Sequence, residues 1–256
     1  MKITILIATH KKYTMPKDAM YLPIHVGKEI SSIALPYCTD NTGEHISEKN
    51  PYYCELTALY WAWKNLKSDY IGMVHYRRYF VKKKPIPFIK DKFSYVLTEK
   101  QLKPLLKNSD ILLPKQRNYY IETNYSHYVH AHPAESIDKT KIIIHQLFPE
   151  YDTAFEIVMN RRKAHMFNIF LMKKEIFDDY CNWLFTILFE LEKILDISSY
   201  DNYNQRIFGF VSELLLDVYL LKNELSYQEL PVLFMENEHW IRKILAFLKR
   251  KFRKSF

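Results

Sequence analysis

Short apolar runs alternate with segments of helical period along the first third of the chain. Residues 2–8 (KITILIA) are dense in β-branched side chains and predict a buried strand that ends at the polar pair Thr9 and His10. Residues 53–65 carry apolar side chains at helical spacing, and residues 70–75 (YIGMVH) predict a second buried strand. A strand, a loop, a helix and a strand in this order are typical of an α/β fold.

The alternation continues beyond residue 95 with a less regular period. It predicts short strands at residues 95–98, 111–114 and 167–172, and helices at residues 99–107, 142–147, 153–160, 174–195 and 210–223. Residues 115–133 show no clear period and are predicted to form a long surface loop, and residues 198–209 a polar connection. Because no repeat or low-complexity linker divides the sequence, we predict one domain over residues 1–240.

Composition excludes several classes of protein. Forty aromatic residues among 256 exclude a disordered chain, and four glycines are too few for a typical dinucleotide-binding turn or P-loop. Three cysteines without C-x-x-C spacing indicate neither a disulfide framework nor a thiolate zinc site, which favours a reducing cytoplasm. Lys11 and Lys12 follow the first apolar run, the reverse of a secretory signal, and no stretch resembles a membrane span.

Most of the formal net charge of +8 lies in a tail, residues 241–256. Seven Lys and Arg residues follow Glu238, so residues 1–241 carry only about +1. Apolar residues of the tail share one helical stripe, and basic residues occupy the rest of the circumference, a pattern typical of an amphipathic helix at a membrane surface. Packing of this helix on its own domain, or contact with nucleic acid, remains an alternative.

Two adjacent arginines, Arg77 and Arg78, follow the strand predicted at residues 70–75. A guanidinium keeps its charge at any accessible pH, so a pair of them at a strand end needs an anionic partner. Phosphate suits this role, because bidentate contacts between Arg and phosphate are strong charge-assisted hydrogen bonds. The alternative is surface pairing with an acid such as Asp69 or Glu55.

Five long motifs carry a resemblance to a known family. They are DNTGEHISEKNPYYCELTALYWAWKN, DYIGMVHYRRYF, NYYIETNYSHY, FNIFLMKKEIFDDYC and YDNYNQRIFGFVSELLL. Over residues 3–222 the chain resembles the bacterial capsule and O-antigen (exopolysaccharide) glycosyltransferases that were long classified as a domain of unknown function. Some of these are assigned to galactofuranose transfer. The resemblance implies a GT-A-like α/β domain with a mixed, mainly parallel central sheet flanked by helices.

The resemblance also implies a chemistry: transfer of a sugar, such as galactose or galactofuranose, from a UDP-sugar to a lipid-linked glycan. Typical GT-A enzymes hold a divalent metal on an Asp-x-Asp element, whereas here His75, Tyr76 and Arg77 take that place. We therefore predict metal-independent catalysis without a cofactor, in which Arg77 and Arg78 neutralise the departing diphosphate. A metal bound through His75 remains an alternative. The acceptor implies an enzyme at the inner face of the plasma membrane, held there by residues 241–256.

Residues at the predicted strand ends and before the helix of residues 53–65 are candidates for donor binding. The set is Thr9, His10, Asp40, Asn41, Lys49, Asn50, His75, Tyr76, His165 and Asn168. Glu55 lies beside them at the start of the helix. Amides near a helix N-terminus favour phosphate. Ordinary turn and capping roles are the alternative for the residues in loops.

An inverting glycosyltransferase needs one carboxylate as general base, and two candidates lie in the last motif. We favour Glu213 over Asp201. His127, His130 and His132 interleave with tyrosines and predict an acceptor groove, with a zinc site as the alternative. The second function class is a nucleic-acid-binding protein that uses the HYRRYF segment and the basic tail.

Overall fold

The computed structural model describes residues 1–83 and 91–236. The helix predicted for residues 241–256, and with it the boundary at residue 240, lies outside the described residues. None of the helices in the described ranges combines the length and the apolar character that a bilayer crossing demands.

A mixed sheet forms the centre of the fold, with helices on its faces. The strands are β1 (Ile3–Thr9), β2 (Tyr21–His25), β3 (Cys38–Thr39), β4 (Tyr70–His75), β5 (Arg78–Phe80), β6 (Ile111–Pro114), β7 (Arg117–Asn118), β8 (Lys163–Ala164), β9 (Phe170–Lys173), β10 (Gln228–Leu230) and β11 (Val232–Phe234). The helices are α1 (Asn50–Tyr53), α2 (Leu56–Asn65), α3 (Glu99–Leu106), α4 (Asn124–Ala131), α5 (Ala134–Leu147), α6 (Asp152–Asn160), α7 (Lys174–Ile194) and α8 (Ile207–Lys222).

The order of the strands in the main sheet is β10-β6-β9-β4-β1-β2-β3, and β5 with β11 continues from the end of β4. β1 pairs in parallel with both β2 and β4, whereas β9 runs antiparallel to β4 and β6. β7 and β8 form a separate two-stranded sheet. This is the mixed α/β architecture that the resemblance implied, and the predicted fold class is confirmed.

Alternate residues of the central strands face two different cores. Leu6 and Met73 pack into the larger core, which the sheet forms with α2 and α5 to α8. Ile5, Ile7 and Val74 point the other way, into a smaller core that includes α3 and β11. Because each face removes these side chains from water, at about 1.5–3 kcal/mol per large aliphatic residue, the strands are apolar on both sides.

The predicted strands at residues 70–75 and 111–114 have the predicted bounds, and β1 is shifted by one residue. The helix predicted for residues 53–65 is divided, because Cys54 adopts a φ of 53° and ends α1. The strand predicted from residue 167 begins only at Phe170, since Phe167 and Asn168 both have positive φ.

Two predictions of secondary structure were wrong, a loop and a short strand. Residues 115–133 are not a loop: they contain β7 and α4, and the Thr123 hydroxyl caps α4 by accepting a hydrogen bond from the Ser126 N–H. Residues 95–98 are not a strand, because Lys92–Tyr95 forms a 3-10 turn and Val96 makes only an isolated bridge to Val81.

Candidate active site

Several predicted site residues converge where β4 ends, beside the start of α8. This group, called here the Glu55 cluster, comprises Glu55, His75, Arg78, Phe167, Asn168 and Glu213. It joins the break between α1 and α2, the end of β4, the turn before β9 and the second turn of α8.

Glu55 is positioned by the helix break at Cys54, and its side chain is 11% exposed. Its Oε1 accepts a hydrogen bond from Asn168 Nδ2 at 2.8 Å and lies 3.8 Å from His75 Nε2. Asn168 in turn accepts a hydrogen bond from the Ser212 hydroxyl at 3.0 Å. The amide of Asn168 therefore ties the start of α2 to the start of α8.

Phe167 contacts both His75 and Arg78 from a left-handed backbone conformation. Its φ is 78° and that of Asn168 is 50°, a conformation that costs non-glycine residues about 1–3 kcal/mol each. The Phe167 carbonyl accepts a hydrogen bond from His75 Nε2 at 2.8 Å, and its ring lies 4.0 Å from the Arg78 guanidinium carbon. Two consecutive strained residues at one point of the cluster are typical of functional sites.

His75 is a neutral imidazole in this arrangement. Burial lowers its pKa, and the charges of Arg78 and Arg77 act in the same direction against the opposing effect of Glu55. Because a carbonyl oxygen only accepts, the contact with Phe167 places the ring proton on Nε2. His75 therefore presents Nδ1 as an acceptor and adds no positive charge.

Glu213 is a basic carboxylate. Burial and the neighbouring charge of Glu55 raise its pKa to about 8, although a backbone hydrogen bond from Phe167 and the charges of Arg78 and Arg117 oppose the rise. Burial penalises the ionised form, because the low dielectric of the protein solvates it poorly. At pH 7, about one unit below this pKa, the group is mostly protonated and roughly a tenth of the molecules carry the ionised carboxylate, which can take a proton and release it readily.

The two adjacent arginines diverge. Arg78 packs its guanidinium between the rings of Phe167 and Phe234, at 4.0 and 5.4 Å from their centroids. Arg77, with a side chain that is 43% exposed, pairs with Glu236 at 3.1 Å. From the sequence we predicted that the two arginines act together on the diphosphate, but only Arg78 belongs to the Glu55 cluster.

Further cations surround His10, at the end of β1. Partial burial, and then the positive charges of Lys11, Arg77 and Arg206, lower the pKa of His10. Arg206 immediately precedes α8, and its Nε donates a hydrogen bond to Cys54 Sγ at 3.1 Å. Burial raises the pKa of that thiol to about 12, so Cys54 is a neutral acceptor.

Sequence reasoning missed Arg206, and the signal was available. It closes the segment YDNYNQR of the last motif, only seven residues before the favoured base Glu213. Phe167 could not be predicted from the sequence, because phenylalanine has no preference for a positive φ.

Five other predicted donor-binding residues make local or internal contacts. Asp40 accepts hydrogen bonds from Gly27 N, Lys28 N, Ser47 Oγ and Thr57 Oγ1. Lys49 pairs with Glu192 at 2.6 Å, Asn50 donates to Cys54 O, Asn41 donates to Glu29, and buried Thr9 donates to Lys11 O. The contacts of Asp40, Asn41, Asn50 and Thr9 match the loop roles that the sequence left open, whereas Lys49 forms an ion pair with α7.

Tyr76, His165 and Asp201 also lie outside the Glu55 cluster. Tyr76 is buried beside His10 and Tyr13. His165 lies between two carboxylates, with Nδ1 2.5 Å from Asp217 and Nε2 3.2 Å from Glu229. Asp201 is exposed and accepts a hydrogen bond from the Asn204 N–H at 2.7 Å, which starts a 3-10 turn.

The histidines of the predicted acceptor groove lie on and after α4. His127 and His130 both donate through Nδ1 to buried Glu122, at 2.8 and 2.7 Å. Burial raises the pKa of Glu122, but the two hydrogen bonds outweigh it and hold the pKa below its usual value. His127 also stacks on Tyr119 at 3.8 Å. Within residues 1–83 and 91–236, no group of three His, Cys, Asp or Glu side chains is arranged to hold a metal ion.

The fold and this cluster define the class of protein. The chain is similar to the structure of the WbbM bifunctional glycosyltransferase, with a TM-score of 0.84 and 33% sequence identity over 93% of this chain. Its architecture is that of a GT-A-like glycosyltransferase. The chain spans 46% of the length of the WbbM chain, so it corresponds to part of that bifunctional protein.

The chain belongs to the family described as "Domain of unknown function (DUF4422)", whose profile matches residues 4–224. No curated protein matches the chain. The matches support a glycosyltransferase-like family, and neither of them favours the nucleic-acid alternative.

Proposed function

We propose that the chain is a glycosyltransferase that moves a sugar from a UDP-sugar to a hydroxyl of a glycan with inversion, and that Glu213 is its general base. The observation that carries the proposal is the basic carboxylate of the half-buried Glu213, on which the charge of Arg78 and a backbone hydrogen bond from Phe167 act. Because one fold hosts many functions, this site and the likeness to WbbM support the activity together.

In the proposed reaction, Glu213 removes the proton of the acceptor hydroxyl as its oxygen attacks the anomeric carbon of the donor. The bond from that carbon to the diphosphate breaks, and UDP leaves with the electron pair. A base with a pKa near the working pH suits this step, because it accepts the proton readily and releases it to water afterwards.

Cations on three elements support a role in binding the donor diphosphate. Arg78 lies in the Glu55 cluster, while Arg77 and Arg206 lie close enough to His10 to lower its pKa. Fixed guanidinium groups stabilise charge that develops on a leaving diphosphate. We propose that they replace the divalent metal of typical GT-A enzymes and that the reaction needs no cofactor.

The finer assignment rests on the family resemblance. It gives galactose or galactofuranose as the donor sugar, a lipid-linked oligosaccharide of capsule or O-antigen synthesis as the acceptor, and the inner face of the plasma membrane as the location. Residues 241–256 would contact that membrane through their basic and apolar faces.

Transfer assays on the full chain test the activity and the metal question together. The purified chain would be incubated with UDP-galactose, UDP-galactofuranose and UDP-glucose and a lipid-linked acceptor, and the product analysed by mass spectrometry before and after exhaustive EDTA treatment. We expect transfer from one donor, with the rate changed less than twofold by EDTA. Complete loss that only Mn²⁺ or Mg²⁺ restores would contradict metal independence, and no transfer from any nucleotide sugar would contradict the function.

A further inference from the structure

The two most exposed large apolar side chains of the described residues are adjacent to each other. Tyr120 is 75% exposed and Ile121 is 62% exposed, directly after β7. Single exposed apolar residues are ordinary, but two neighbours at the tip of one turn form a projecting apolar edge.

The turn that presents them is fixed by hydrogen bonds. Tyr120 has a φ of 59°, and its N–H donates to Asn118 Oδ1 at 2.8 Å. Its carbonyl accepts a hydrogen bond from Arg162 Nη1 at 3.1 Å, and the Ile121 N–H donates to Tyr119 O at 2.7 Å. The backbone is therefore held on both sides, with the two apolar side chains directed outward.

Basic residues surround this edge. Arg117 on β7 pairs across the small sheet with Ala164, and exposed Arg161, Arg162 and Lys163 precede that residue. Residues 115–121 and 160–165 contain no Asp or Glu. Of two nearby acids, Glu122 is buried against His127 and His130, whereas Glu229 contacts His165 but keeps a side chain that is 36% exposed. The surface therefore carries four basic side chains and a net positive charge around two apolar side chains.

We infer that this surface, formed by Arg117, Tyr120, Ile121, Arg161, Arg162 and Lys163 and called here the β7–β8 surface, docks on an anionic lipid bilayer. Cations attract the lipid head groups, and Tyr and Ile side chains insert at the boundary with the acyl chains. A water-soluble polyanion would match the charges but would leave Ile121 in water. The combination of both features selects the bilayer.

The β7–β8 surface is electrostatically coupled to the candidate active site. The charge of Arg117 acts on Glu213, and Glu213 in turn influences the buried Tyr119 that precedes the exposed edge. Docking would bring the Glu55 cluster closer to the level of the lipid head groups. The inference does not depend on glycosyl transfer or on residues 241–256, because it concerns binding by a different part of the chain.

Sedimentation with vesicles tests the charge contribution. The full chain would be mixed with vesicles of phosphatidylcholine with 30% phosphatidylglycerol, and with pure phosphatidylcholine. Each Lys or Arg near the surface contributes about fivefold to partitioning, so Arg161→Gln with Lys163→Gln should weaken binding to the anionic vesicles by about tenfold or more. The matched control, Lys100→Gln with Lys107→Gln on exposed positions in and after α3, removes the same charge and should change binding less than twofold. Equal effects of the two pairs, or no binding of the unsubstituted chain, would overturn the inference.

A probe on the apolar edge tests insertion independently of the tail. An environment-sensitive fluorophore on Ile121→Cys should brighten several-fold with anionic vesicles, whereas the same fluorophore on Ile30→Cys, at an equally exposed residue, should not. The unsubstituted chain, labelled in parallel, gives the background from its native cysteines. A silent probe at position 121 on a chain that sediments with vesicles would overturn the inference. So would equal brightening with dextran sulfate, because that result would identify a general polyanion site.

Discussion

Glu213 and Asp217 lie one turn apart on α8, yet their surroundings differ. Asp217 accepts hydrogen bonds from both the backbone N–H and the Nδ1 of His165, at 2.9 and 2.5 Å. Burial, and then the charge of the nearby carboxylate Glu55, raise the pKa of Glu213 to about 8. Burial with a cationic or donor partner makes a carboxylate structural, whereas burial beside a like charge makes it basic. The same helix thus holds one acid with strong hydrogen-bond donors and one whose raised pKa fits the proposed base.

The largest expected effect is on the transfer rate, which should distinguish Glu213 from Asp217. Glu213→Gln removes the proposed base, so we expect the transfer rate to fall roughly 10³-fold while the affinity for UDP, measured by calorimetry, is unchanged. Asp217→Asn is the matched control and should retain most of its rate per folded molecule. A fully active Glu213→Gln variant would assign the base to another residue.

The next largest effect divides the arginine pair. Arg78→Met keeps the contact with Phe167 but removes the charge, and we expect kcat to fall roughly 10²-fold because the leaving diphosphate loses a stabilising cation. Arg77→Met, whose native partner is Glu236, should reduce kcat less than tenfold. Steady-state kinetics would decide, and equal losses would restore the interpretation of the two arginines as one unit.

For stability we expect the opposite order: Asp217→Asn should be the more damaging of the two substitutions. Asp217→Asn leaves the buried His165 without its carboxylate, and we expect the free energy of unfolding to fall by about 2 kcal/mol. Urea denaturation followed by circular dichroism measures this change. A loss as large in Glu213→Gln would mean that both acids are structural.

The smallest expected effect is in the pH dependence of stability. The pKa of Glu213 in the folded chain, about 8, lies above its usual value of 4.5, so the folded state binds this proton more tightly. Its contribution is therefore fully present below pH 4.5 and is lost as the pH rises toward 8. In urea melts the unsubstituted chain should lose at most about 1.4 kcal/mol of stability per pH unit across this window, whereas Glu213→Gln, which has no such proton, should not show this loss. Glu150→Gln, at an exposed site, should show the same loss as the unsubstituted chain.

The central strands were predictable because they are buried on both faces. β4 and β6 are continuous apolar runs in the sequence, and both were predicted with the correct bounds. β2 was not predicted, since Pro23 and the half-buried residues at its centre weaken the pattern. The helix break at Cys54 was also invisible, because the flanking residues have ordinary helical spacing and only tertiary contacts impose a positive φ.

The site was predictable in part. The sequence selected His75, Arg78, Asn168 and Glu213, and the structure brings these four together. It could not separate Arg78 from Arg77, because the direction of adjacent side chains depends on whether Phe167 or Glu236 lies opposite. Polar residues in loops, such as Asp40, were equally plausible as binding groups or as turn anchors until their donors were known.

The left-handed turn at Phe167 and Asn168 sets stability and activity against each other at a single position. Glycine at position 168 would adopt this backbone without steric penalty, a change that by itself favours the folded state. The same change would delete the amide that connects Glu55 to the start of α8. A thermostabilised form of this protein that keeps Asn168 must therefore draw its extra stability from elsewhere in the fold.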